Sequence, residues 1–106
     1  MIKPSNTIFE HNENKVLKEF AKQLKITPMQ IIGKENSRKI SDMRQLYCKL
    51  RHDMHGLTLI ELAQEIDRDP TTVRYSIMCI NDLLAMKERR IVAMWKKVKN
   101  IPGYFV

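Results

Sequence analysis

The chain has 106 residues, 43% of them hydrophobic, and a formal net charge of +7. That bounds it to one domain with a modest core, too short to hold a separate nucleotide-driven motor and too apolar to stay disordered away from its ends. A basic balance of this size points to a polyanion, nucleic acid before membrane.

Residues 1–13, mostly polar with Ile8 and Phe9 as an apolar pair, read as an N-terminal arm. "MIKPSNTIFEHNEN" has neither a long apolar core nor a cleavage-type site, so no signal peptide is expected. No apolar run approaches membrane-spanning length, and the expected location is cytoplasmic and nucleoid-associated. A first helix is expected from about Glu13 to Lys25, with Val16, Leu17, Phe20 and Leu24 on one face. In "ITPMQIIG", Thr27 caps, Pro28 opens a short helix, Met29, Ile31 and Ile32 pack, and Gly33 ends it. The polar loop "GKENSRKIS" leads to Ser41 as a cap. The longer helix expected next, about Asp42 to His55, turns Met43, Leu46, Tyr47, Leu50 and Met54 inward and stops at Gly56.

Leu59, Leu62, Ala63 and Ile66 share one face of a short helix. Asp69 is a good N-cap and Pro70 suits the first helical position, so a new helix starts at Pro70. Only Asp67 and Arg68 intervene, and Asp tolerates the left-handed backbone of a sharp turn. Two helices joined so tightly form a helix-turn-helix. With Leu59 as the first position, Ala63 falls where the helices touch, Asp67 at the turn, and Val73 at an inward β-branched contact. Val73, Ile77, Ile80 and Leu84 then form a stripe that Ile91, Met94, Trp95 and Val98 continue, as one long helix or as two with a bend near "KERR". No strand signal and no repeat appears. The expected fold is all-α: a domain over residues 14–100, with 101–106 as a tail.

Cys48 and Cys79 lie inside apparent amphipathic helices and read as two buried thiols. Cys48, His52 and His55 share a helix, but a structural zinc site needs four ligands and no second ligand pair accompanies them, so ordinary surface histidines and no metal are expected. There is no phosphate loop, activated nucleophile or converging carboxylate pair. No enzyme and no cofactor is expected.

In order along the chain, the first helix with "ITPMQIIG", the stretch "SRKISDMRQLYCKL" and the hexapeptide "RDPTTV" carry a resemblance. Together, from about Asn14 to Leu84, they resemble the C-terminal DNA-binding domain of the bacterial replication initiator DnaA. "RDPTTV" is similar to the family signature R-D-H-T-T-V, with Pro70 in place of its histidine. The resemblance implies a helix-turn-helix fold and binding to double-stranded DNA. The initiator's ATPase domain has no counterpart in the sequence, so ATP switching and origin melting are not implied.

On this reading Thr71 and Thr72 open a helix aimed at the major groove, where a hydroxyl meets base edges or phosphate and a methyl meets thymine. Arg74 reads guanine one turn later, and Tyr75 meets phosphate or packs. By resemblance, Arg68 meets backbone or base. Asp69 caps and accepts from a cytosine amino group. Arg38 and Lys39 match the family's basic loop, from which an arginine enters the adjacent minor groove. Lys34 and Arg44 neutralise flanking phosphates. Each has an ordinary alternative: a threonine sharing the cap, an exposed turn arginine, a solvated loop. Lys87, Arg89, Arg90, Lys96, Lys97 and Lys99 read as a solvated helix face.

Two other functions fit the sequence. "LAQEIDRDPTTV" also resembles the helix-turn-helix of some transposases and sigma factors, or of a repressor-type regulator. In the other, the C-terminal helix pairs with a protein partner and the charge is incidental. The oligomeric state is open.

Overall fold

The computed structural model describes residues 14–104, so the expected arm over 1–13 lies outside the described residues. Six α-helices follow in order: α1 Lys15–Leu24, α2 Pro28–Ile32, α3 Arg38–Lys49, α4 Leu59–Ile66, α5 Pro70–Ala85 and α6 Arg89–Val98. A π-helical turn, Leu50–Met54, continues α3. No strand occurs among the described residues, so the protein is all-α.

Local chemistry sets each boundary. The Asn14 side chain accepts from the Leu17 N–H and starts α1, which ends on Lys25 in the left-handed region. Thr27 and Gln30 form a capping box around Pro28. Gly33 is required because a Cβ there would stand 2.7 Å from the Met29 carbonyl oxygen. Thr58 and Glu61 make a second capping box at the head of α4.

α3 begins four residues earlier than the sequence suggests. Ser37, not Ser41, is the cap, accepting from the Ile40 N–H at 3.3 Å. Both serines are competent caps, and burial decides between them: starting at Arg38 brings Ile40 onto the inward face ahead of Met43, Leu46 and Tyr47. Arg38 and Lys39 therefore stand on the first turn of a helix rather than in a loop. Beyond Lys49 the ladder widens to a π turn, a change with no sequence signal, and Met54 is exposed rather than inward. Met29 is exposed as well. The C-terminal stripe is two helices: Lys87 adopts φ 58° and Glu88 caps the second.

α3 is the central helix. α5 packs along it, α4 packs against α5 and the π turn, and α6 returns across α1 while touching α3 and α5. Leu17, Phe20, Leu46, Tyr47, Leu62, Val73, Ile80 and Ile91 are fully buried in one core, where Phe20 meets Tyr47 edge-on at 5.0 Å between ring centroids. Cys48 is buried and Cys79 half-buried. No helix among the described residues is long and apolar enough to cross a membrane.

A buried polar joint ties α3, its π turn and α4 to the segment after α6. Arg51 donates from Nε and Nη2 to the two oxygens of Glu65, both at 2.8 Å, and the Tyr47 hydroxyl also donates to Glu65. Burial opposes the Glu65 charge, but the hydrogen bonds from Arg51 and Tyr47 outweigh it and hold the carboxyl below its ordinary range. Arg51 Nη1 reaches His55 Nδ1 at 2.9 Å and the Gly103 carbonyl at 3.3 Å, while His55 Nε2 meets the Ile101 carbonyl at 2.7 Å. His52 Nδ1 lies 2.7 Å from the Leu57 carbonyl. Both histidines, expected at the surface, are half-buried tethers that hold loops to α3.

Candidate nucleic-acid interface

The turn between α4 and α5 has the geometry that a helix-turn-helix needs. Asp67 takes φ 56°, ψ 52°, the left-handed conformation that lets the chain reverse within a few residues. Asp69 then accepts from the Thr71 N–H at 3.0 Å, and Pro70 occupies the first helical position. Ala63 and Val73 are buried where the helices meet. This register leaves Thr71, Thr72, Arg74 and Tyr75 exposed, with Tyr75 at 65%. The first two turns of α5 thus present hydroxyls, a guanidinium and a phenol to the outside.

Two arginines expected at DNA, Arg44 and Arg68, turn their guanidiniums to backbone carbonyls of the protein. Arg44 is buried, and its guanidinium donates to four backbone carbonyls: Nε to Ile31 at 2.7 Å, and Nη2 to Gln30 at 2.9 Å, Glu35 at 2.8 Å and Gly33 at 3.4 Å. These carbonyls belong to the end of α2 and the segment after it, where the helix dipole is negative and the last oxygens lack helical partners. Burial, and next the Arg68 charge, lower the Arg44 pKa, and the nearby Cys48 and Glu35 oppose the shift only in part. Arg68 is half-buried. It donates from Nη1 to the Ile32 carbonyl at 2.9 Å and from Nη2 to the Gly33 carbonyl at 2.6 Å. Its Nη1 also reaches the Ile66 and Asp67 carbonyls at 3.2 Å.

The consequence is geometrical. Arg44 reaches the 30–35 segment from α3 and Arg68 reaches it from the helix-turn-helix turn, and both meet at Gly33. Lys34, exposed, follows directly, and Arg38 and Lys39, also exposed, open the next helix. One brace therefore fixes the basic segment beside the start of α5. Nothing in the sequence marks these two arginines as inward, because a guanidinium satisfied by carbonyls leaves no paired acidic residue to find.

The structure also gathers a residue that the sequence left on a solvated face. Arg90, on the first turn of α6, lines a surface depression of about 570 Å³ together with Arg38, Lys39, Met43 and Met94. No cluster of three or more metal-ligating side chains occurs among the described residues.

An all-α domain whose exposed polar helix start follows a tight left-handed turn, with basic residues braced beside it, is a DNA-binding helix-turn-helix domain of the replication-initiator type. The chain belongs to the family of bacterial dnaA protein helix-turn-helix domains, which matches residues 14–80. No curated protein and no solved structure matches the chain.

Proposed function

We propose that the protein is a sequence-specific double-stranded DNA-binding module acting in replication control or regulation. One observation supports this reading: Arg44 and Arg68 both donate to the Gly33 carbonyl, which holds the basic segment 34–39 beside the exposed start of α5. In this reading Thr71 and Thr72 meet base edges in the major groove, Arg74 addresses guanine, and Tyr75 meets the backbone. Asp69 fixes the helix start, with its remaining acceptor capacity available to a cytosine amino group. Arg38 enters the flanking minor groove, and Lys34 and Lys39 neutralise phosphates. Arg44 and Arg68 act as positioning residues behind this face.

Selecting bound sequences from a random duplex pool, then titrating salt, tests the reading. A short asymmetric site and a log–log salt slope on the order of −3 to −6 are expected, at about 0.9 per phosphate neutralised. The double variant Thr71→Ala/Thr72→Ala should lose about 1–3 kcal/mol per broken contact on the selected site and little on random duplex. Arg38→Ala should weaken binding mainly where the flank is A·T-rich. A flat salt response removes the nucleic-acid reading, and normal binding by the double threonine variant moves the recognition surface off α5.

A further inference from the structure

Arg90 lies beyond residue 80, where the family match ends, yet an ion pair draws it to the same surface. Its Nη2 stands 2.9 Å from Asp42 Oδ2, with the Asp42 side chain 10% exposed and that of Arg90 46% exposed. That oxygen makes no well-angled hydrogen bond, so Coulomb attraction rather than a two-toothed fork holds the guanidinium. Most of its five donors are therefore left for a second acceptor. Asp42 sits one turn after Arg38 on α3, which is why the pair brings Arg90 beside Arg38 and Lys39 around the depression. Three cations against one buried carboxylate leave that hollow net positive. Its edge is continuous with the basic segment that begins at Lys34.

We propose that Arg90 contacts a backbone phosphate of bound duplex, completing with Lys39 a phosphate seat beside the minor-groove position assigned to Arg38 and so bringing α6 onto the DNA. Asp42 orients the guanidinium from behind. The proposal rests on the DNA-binding reading above and extends it to a helix outside the helix-turn-helix.

The test is binding of the full chain to labelled random-sequence duplex by anisotropy over a range of salt. Arg90→Ala should flatten the log–log slope by about 0.9 and weaken binding about five- to tenfold near ~0.1 M salt. Arg90→Lys should keep the slope. Lys96→Ala, which removes an equal charge from α6 at a different depression lined by Leu84, Arg89 and Val92, should leave the slope unchanged. Because Arg90→Ala strands the Asp42 carboxylate, the double variant Asp42→Asn/Arg90→Ala is measured beside it and should show the same loss of slope. A steep wild-type slope that Arg90→Ala and the double variant both retain overturns the seat while leaving DNA binding intact. A flat wild-type slope overturns both.

Discussion

Arg44, within α3, and Arg51, in the π turn that continues it, are both buried guanidiniums, but one faces four carbonyl oxygens and the other a carboxylate. The Arg44 joint sets a formal charge against dipoles at the end of a short helix. The Arg51 joint sets charge against charge, with Tyr47, His55 and the Gly103 carbonyl filling in around it. The two joints tolerate different substitutions. A carboxylate can be removed together with its arginine, whereas backbone carbonyls cannot be mutated away.

The largest effect is expected on the charge–charge side. Glu65→Ala leaves Arg51 buried without its counter-ion and should cost about 3–5 kcal/mol in urea unfolding. The double variant Arg51→Met/Glu65→Leu should recover at least half of that, because an apolar pair of similar volume often serves as well. Failure to recover would mean that Tyr47 and His55 depend on the pair too strongly for it to be exchanged. Of the two joints, only this one contains a carboxylate and should also respond to acid. The Glu65 carboxyl is depressed in the folded state, so its stabilisation is present above the ordinary value of 4.5 and is lost as pH falls through the lower folded value. The wild type should thus lose stability relative to Glu65→Gln over that window. Arg44→Ala compared with Arg44→Ala/Glu65→Gln should show the same acid-dependent difference.

On the dipole side, Arg44→Ala should cost about 2–3 kcal/mol by leaving carbonyls at the end of α2 without a donor. Arg44→Lys should rescue little, since a compact ammonium cannot span acceptors at residues 30, 31, 33 and 35. Full rescue by lysine would show that charge alone, not the fork, makes the joint. Val73→Ala supplies an apolar yardstick at or below both, at about 1–3 kcal/mol for a lost branched contact. The smallest effect is expected next to it: Arg74→Ala, on the exposed side, should change thermal stability by no more than about 0.5 kcal/mol. Reversal of that pair would place α5 in a different register.

The helix-turn-helix was legible because its cues are local. Asp67, Asp69, Pro70 and Val73 each act within a few residues of their own position, and the left-handed turn, the cap and the inward valine follow. The basic surface was less so. Lys34, Arg38, Lys39 and Arg74 are exposed as the sequence suggests, but Arg44 and Arg68 turn inward to acceptors 9–14 and 35–36 residues away along the chain. Backbone carbonyls leave no trace in side-chain pattern, so a buried arginine satisfied by them looks like any other cation. The start of α3 turned on the same kind of distant fact, whether Ile40 reaches the core. Arg90 was hidden because only the fold brings α6 to α3.

The two cysteines give the molecule an unplanned chemical selectivity. Burial pushes the Cys48 thiol up to about 12, so it offers almost no thiolate at neutral pH and no path to a reagent. Cys79 is half-buried on α5, one turn beyond Tyr75 and two beyond Thr72. A maleimide dye added to the folded protein should therefore attach at one place, next to the surface assigned to DNA. A single dye should go on without an introduced cysteine, and a change in its fluorescence on adding duplex would report binding close to α5.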